Sequence, residues 1–157
     1  MITSRRDYLL RIIDEVGRVL ARVIFQRESG RAQDALQSAV QGCERLFNLP
    51  AAQLFQFTPD QHFLMLTQGE NKEDARAKVL LYAALNTEAA RAYAALGNPT
   101  MARASWINAL RFTLRAKQSF GIENLPAYTP DVAELLSLLK DAPLDPETAA
   151  LVQGGQK

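Results

Sequence analysis

The sequence predicts an all-α protein, and three observations support this prediction. Apolar residues recur at three- and four-residue steps along most of the chain, as they do on one face of a helix. Glycine and proline stand almost entirely between these periodic segments. No run of five or more residues combines apolar alternation with the β-branched enrichment of a strand. We therefore expect antiparallel helical hairpins in a single domain over residues 1–153, followed by a flexible tail at 154–157.

Capping and breaking residues place the ends of the individual helices. The expected helices lie at residues 4–29, 31–47, 51–57, 59–67, 72–96, 100–119, 129–140 and from 145 onward. Ser4 is expected to cap the first helix, and Gly30 permits the chain to reverse after it. The clearest start is Thr58-Pro59-Asp60-Gln61, which combines an N-cap, a proline at the first helical position and a capping-box glutamine.

Composition predicts an ordinary soluble protein. The chain has 157 residues, of which 48% are hydrophobic and 22% charged, and its net charge is +1. This balance gives no overall field that would attract nucleic acid or an anionic membrane. No apolar run approaches the roughly 20 residues that span a bilayer, and no secretory signal is recognisable. The single cysteine, Cys43, excludes an internal disulfide. We expect a cytoplasmic protein with no membrane contact.

The stretch around Gly97-Asn98-Pro99 predicts a tight helical hairpin. Small and aromatic residues alternate on both sides of this break. Two antiparallel helices approach closely where small residues face each other and large residues fill the space beside them. Ala90 and Ala102 are expected at this contact, and Trp106 is expected to be buried. Its replacement by alanine should therefore be strongly destabilising.

This hairpin resembles a tetratricopeptide repeat over residues 83–116. With Gly97 on the turn glycine, the signature positions hold Ala90, Tyr93, Ala102, Trp106, Ala109 and Leu110. Asn86 and Ala89 depart from the signature, because the family has large residues there. Residues 16–47 resemble a second, degenerate copy in either of two registers, only one of which places Gly30 at the turn. The start, "RRDYLLRIIDEVGRVLARV", resembles a family of small uncharacterised bacterial proteins with a tetratricopeptide-like fold.

Residues suited to catalysis or metal binding are few. The chain has one histidine, His62, and one cysteine, Cys43, far apart in sequence. We interpret Cys43 as an interior or rim residue and His62 as a surface residue near the start of a short helix, not as a nucleophile–base pair. No Cys-x-x-Cys, His-x-x-x-His or Glu-x-x-His pair exists, and no glycine-rich phosphate loop follows a strand. We expect no enzymatic activity, no metal and no cofactor.

The tetratricopeptide resemblance implies that the chain binds a protein or peptide. In that family, ligands lie against the first helix of each repeat. The matching positions are Ala84, Thr87, Arg91, Ala94 and Ala95. Arg91 is the only charged residue among them, and it could hold a carboxylate of the partner.

The alternative prediction is a nucleic-acid-associated or regulatory accessory protein that uses a basic patch to bind an anionic partner. The candidate basic patch consists of Arg103, Arg111, Arg115 and Lys117, which have few acidic neighbours in sequence. Such charges near a helix C-terminus also complement the helix dipole. The arginines of the first helix are weaker candidates, because Asp7, Asp14 and Glu15 interleave with them as on a solvated face.

The apolar stripe of the first helix also suggests a homodimer. It covers roughly 160° of the helix circumference, whereas one neighbouring helix hides about 100°. The excess would be covered by a second subunit, or by the leucine-rich helix near residue 135 folding back within one chain. Ile12 and Ile24 are the positions at which an acidic substitution would test the dimer.

Overall fold

The structure is a computed structural model that describes residues 2–155. Its described part is all-helical, with eight helices and no strand. In chain order, α1–α8 are Ile2–Glu28, Ala32–Phe47, Ala51–Leu54, Pro59–Thr67, Lys72–Ala95, Pro99–Phe120, Val132–Leu138 and Pro146–Gly155. No helix in this part is long and apolar enough to cross a membrane.

The central element is α5, which packs against α1, α2, α4 and α6. Its contact with α6 is the most extensive in the molecule, and α1 and α2 form the next largest pair. The helices α7 and α8 both lie against α6. The middle of α5 is buried on all sides, since residues 79–85 are all buried, and the large residues Val79, Leu80, Leu81 and Leu85 join α1 and α2 to α6.

Two turns of the same geometry join α1 to α2 and α5 to α6. Gly30 and Gly97 both adopt positive φ, 78° and 77°. In each turn the glycine N–H donates to the carbonyl three residues earlier, and the next N–H donates five residues back. This is the Schellman arrangement that ends a helix at a left-handed glycine. Gly30 therefore occupies the turn of its hairpin as Gly97 does, which is the second of the two registers considered for residues 16–47.

The packing predicted around Trp106 is confirmed. Trp106 is 9% exposed, and Ala90 and Ala102 are buried beside it in one apolar cluster. All six signature positions contribute to this cluster, with Tyr93 at its edge. Leu135 and Leu139 cover it from α7, so the leucine-rich helix seals the α5–α6 hairpin and not the stripe of α1.

Several predicted boundaries differ from the structure, and α3 ends at Leu54 where the sequence predicts a helix to residue 57. The first helix begins before Ser4, which therefore does not cap it. The helix predicted from residue 129 begins at Val132, because the Asp131 carboxylate accepts hydrogen bonds from the N–H groups of Ala133 and Glu134. At the end of the chain, α8 includes residues 154 and 155 of the predicted tail, and residues 156–157 lie outside the described part.

The apolar stripe of α1 is covered within one subunit. Leu9, Ile12, Val16, Leu20 and Val23 are all buried, because both α2 and α5 pack against α1. The prediction that part of the stripe is left uncovered rests on a single neighbouring helix. Two neighbouring helices account for the full width of the stripe. Exposed apolar side chains of α1 are Tyr8, Leu10 and Phe25. Ile12 belongs to the core, so it is unsuitable for testing a dimer.

Candidate functional site

Two concave surfaces lie on opposite sides of α5. The first, which we call the cleft, lies between α1, α5, α7 and the segment 127–131 and has a volume of about 290 Å³. The second, which we call the groove, lies between α2, α5 and α6 and has a volume of about 200 Å³. At 100° per residue, the α5 side chains that line the cleft and those that line the groove point in opposite directions.

The cleft contains three of the five residues predicted to bind a partner. Ala84, Thr87 and Arg91 line it, and Leu20 and Ile24 of α1 face them. Ala84 and Thr87 are largely buried, and the Thr87 hydroxyl donates to the Ala83 carbonyl of its own helix. Ala94 and Ala95 are exposed nearer the Gly97 turn and do not line the cleft. The structure therefore brings together the first three predicted residues and not all five.

Arg91 is occupied by carboxylates of its own chain. Its guanidinium donates to Glu88 at 2.6 Å and to Glu134 of α7 at 2.8 Å. Glu88 is 4% exposed, and its other oxygen accepts from Arg27 of α1 at 2.9 Å. A chain of ion pairs thus joins α1, α5 and α7 across the cleft. The prediction that Arg91 is available for a partner's carboxylate is not supported by this geometry.

The charges that line the cleft are mainly negative. Glu88, Asp131 and Glu134 contribute three carboxylates, whereas Arg91 contributes the one guanidinium of the lining. Arg27 lies behind Glu88 and neutralises one of these charges. Glu134 is 49% exposed at the rim and so remains accessible from solvent. The cleft therefore favours a positively charged group in its ligand.

The groove is more apolar than the cleft. Its sides are formed by Leu36 and Val40 of α2 and by Met101 of α6, and Phe55 stands at one end. Asn86 and Ala89, the two departures from the tetratricopeptide signature, both line it. Small or polar residues at these two positions leave space where large apolar ones would extend from α5.

An amide network lies beside the groove. The Asn108 amide donates to the Asn86 side-chain oxygen at 3.0 Å, and Asn86 donates to the Tyr82 carbonyl at 2.9 Å. The Asn108 oxygen accepts from Arg111, which also donates to Asp145 at 3.0 Å. These bonds satisfy polar groups between α5 and α6 and tie the start of α8 to them.

Two members of the basic patch are paired with acidic residues. Arg111 donates to Asp145, and Arg115 donates to Asp60 at 2.8 Å, with Glu147 at 3.9 Å. The Arg115 guanidinium also lies 3.9 Å from the centre of the Phe63 ring. Arg103 is exposed near Trp106, and Lys117 lies in the last turn of α6. The patch is therefore less positive than its sequence suggests.

The arginines of α1 also meet acidic residues. Arg18 donates to Asp14 at 2.6 Å, in the predicted i,i+4 order. Arg5 and Arg6 approach Glu70 and Asp74 at the start of α5, at 3.4 and 3.7 Å. This surface has the interleaved charges expected of a solvated helix face, not those of a phosphate-binding stripe.

Cys43 and His62 each have a structural role. His62 is buried, contrary to the sequence interpretation, because its Nε2 is 2.7 Å from the Leu54 carbonyl and its ring packs edge-on against Phe47 and Tyr82. Cys43 is buried in the core, and burial, with a smaller effect of Glu44, raises its pKa from 9.0 to about 12. Its thiol is therefore protonated at neutral pH, which opposes nucleophilic chemistry.

This burial predicts slow thiol chemistry. The native protein should react with 5,5′-dithiobis(2-nitrobenzoate) at pH 8 at least about a hundredfold more slowly than the protein unfolded in guanidinium, because Cys43 is only 8% exposed in the lining of the groove and its thiol is protonated. The measurement is the rate of absorbance increase at saturating reagent. Equal rates in the two states would show that Cys43 is accessible.

No group of three or more histidine, cysteine, aspartate or glutamate side chains is arranged to hold a metal ion in residues 2–155. Comparison of the chain with protein-family models, with curated proteins and with solved structures found no match. The surfaces described above are therefore interpreted from the chain's own residues.

Proposed function

We propose that the chain is a non-catalytic, tetratricopeptide-like domain that binds a peptide or protein segment in the cleft. The observation that carries this proposal is the convergence of α1, α5 and α7 on one concave surface. α1 and α5 are each the first helix of a hairpin, with α2 and α6 as the second, and α7 lies against α6. Three of the residues that the resemblance assigns to ligand binding lie there.

The repeated turn supports the tetratricopeptide-like interpretation. Gly30 and Gly97 are 67 residues apart and have the same φ and the same pair of backbone hydrogen bonds. The signature residues of the second hairpin form one buried cluster, with Trp106 at its centre. In this interpretation α3 and α4 are inserted between the two hairpins, and α7 and α8 both pack against α6.

The charge of the cleft indicates what kind of peptide it binds. Arg27 and Arg91 face three carboxylates, those of Glu88, Asp131 and Glu134, so one net negative charge remains, and Asp131 and Glu134 lie toward solvent. A lysine or arginine side chain of the ligand would pair with Glu134, and its apolar neighbours would contact Ile24 and Tyr128. We therefore propose a basic peptide, where the sequence suggested a carboxylate.

Selection from a random peptide library displayed on phage tests this proposal. We expect selected peptides to share a lysine or arginine beside an apolar residue. Glu134→Lys should weaken their binding at least about tenfold, because it reverses the charge at the rim of the cleft. Isothermal titration of the synthetic peptides measures the change.

Glu123→Lys is the matched control, since Glu123 is exposed and lies outside the cleft lining. It changes the net charge equally and should leave the dissociation constant unchanged. Failure of the library to yield a binder would contradict the proposal. So would equal weakening by both variants, which would reflect net charge alone.

The nucleic-acid alternative is less well supported. Its candidate patch contains Arg111 and Arg115, and both are paired with acidic residues. Phosphate groups would have to compete with Asp145 and Asp60 for these guanidinium groups.

A further inference from the structure

The groove is the continuation of a surface that α4 already covers. Over the first half of α5, α4 lies on α5 and reaches both flanking helices. His62 packs edge-on against Phe47 of α2 and Tyr82 of α5, and Phe63 stacks on Phe120 of α6. The channel between α2 and α6 is thus occupied by a short helix along half of its length.

The way α4 packs in this channel shows what kind of segment the channel accepts. Pro59–Thr67 is a nine-residue amphipathic helix with a capping box at its start. It buries His62, Phe63 and Leu66 and keeps Leu64 exposed. An ion pair from Asp60 to Arg115 fixes its position at the edge. The face that α4 buries therefore combines two apolar side chains with the His62–Leu54 hydrogen bond, and an ion pair lies at the rim.

The second half of the channel is the open groove. Its floor is Asn86 and Ala89 of α5, and its rims carry Phe55, which is 60% exposed, and Met101, which is also exposed. A volume of about 200 Å³ exceeds the 150 Å³ of an apolar cavity that takes up benzene, so it can hold one aromatic side chain. Exposed apolar side chains around an apolar recess are typical of a binding surface.

We propose that the open half of the groove binds a short amphipathic helix of a partner protein. The helix lies in line with α4 and inserts one large apolar side chain over Ala89. Residues of the partner helix that lie one turn away on the same face contact Phe55 and Met101. A helix is the fitting occupant because α2, α5 and α6 present helical ridges, and because α4 binds the same channel in this form. This site is independent of the cleft, which lies across α5.

A library of helical peptides tests this site. Each peptide has about 16 residues, with positions i, i+3, i+4 and i+7 varied among apolar residues on a Glu/Lys/Ala scaffold. We expect binders with dissociation constants on the order of 10–100 µM, as for small interfaces. Their amide NMR perturbations should fall on Val40, Ala89 and Ser105, and scrambled peptides of equal composition should not bind.

Two variants locate the interaction in the groove. Ala89→Leu fills its floor, and Met101→Glu places a charge on its rim at the first turn of α6, where an acid does not disturb the helix. Each should weaken binding at least about tenfold. Ala95→Leu, on the opposite side of α5, is the matched control and should bind as the unmodified protein does.

Three results would overturn the proposal. The first is the absence of any binder in the library, or equal binding of the scrambled peptides. The second is uptake of free indole by the groove without binding of any helical peptide, which indicates a small-molecule site. The third is a mass near twice 17.4 kDa that Met101→Glu returns to 17.4 kDa, which identifies a second copy as the occupant. None of these bears on peptide binding in the cleft, which is tested by Glu134→Lys.

Discussion

Replacing Trp106 with alanine is expected to lower the free energy of unfolding by about 3–5 kcal/mol. Trp106 of α6 is 9% exposed and belongs to one apolar cluster with Ala90, Ala102 and Leu135. The small neighbours cannot move inward to fill the space that the indole leaves, so the cost includes a cavity as well as lost burial. Urea denaturation followed by far-ultraviolet circular dichroism measures the change, because the variant lacks the tryptophan fluorescence.

Ile122→Ala is the control for this measurement. Ile122 is 67% exposed in the segment after α6, and its replacement should change stability by no more than about 0.5 kcal/mol. A loss below about 1 kcal/mol for Trp106→Ala would show that this residue is not part of the core and that the hairpin is packed differently.

Replacing Glu88 with alanine is expected to cost about 3–5 kcal/mol, as for removal of one partner from a buried ion pair. Glu88 accepts hydrogen bonds from both Arg27 and Arg91 and is almost fully buried. Without it, two partly buried guanidinium groups face each other without the carboxylate between them. Denaturation in urea at constant ionic strength measures the loss, since urea does not screen charges.

Glu134→Ala provides the comparison, because it removes the other carboxylate that pairs with Arg91. Glu134 is half exposed, so this change should cost no more than about 1 kcal/mol. Similar losses for the two variants would contradict the view that Glu88 is the buried centre of the network.

Local structure could be predicted well from the sequence. The capping box at Thr58 and Gln61 forms as expected. These signals act over three or four residues, and the helix backbone determines which groups meet. The sequence predicts that α7 starts at residue 129, whereas it starts at Val132, where the carboxylate of Asp131 satisfies the N–H groups of the first turn.

Contacts between distant residues could not be predicted in the same way. Arg27 and Glu88 are 61 residues apart, and Arg115 and Asp60 are 55 apart. Their pairing depends on how the helices pack, which no local spacing encodes. For this reason Arg91 and the basic patch looked more available in the sequence than they are in the structure. His62 was placed at the surface for the same reason, since its partner is the Leu54 carbonyl of the preceding helix.

One signal of the groove was present in the sequence. Asn86 and Ala89 departed from the tetratricopeptide signature, and both line the groove. A small residue where a repeat has a large one indicates either a weak repeat or a space. Only the positions of α2 and α6 show that a space remains.

The central claim is that the cleft binds a peptide, and NMR mapping tests it most directly. Amide spectra of the labelled protein are recorded with increasing amounts of a peptide obtained from the random library. We expect the largest chemical-shift changes on Thr87, Arg91 and Tyr128, and only small changes on Arg103 and Lys117. Changes confined to the basic patch of α6, or absent from the cleft, would contradict it.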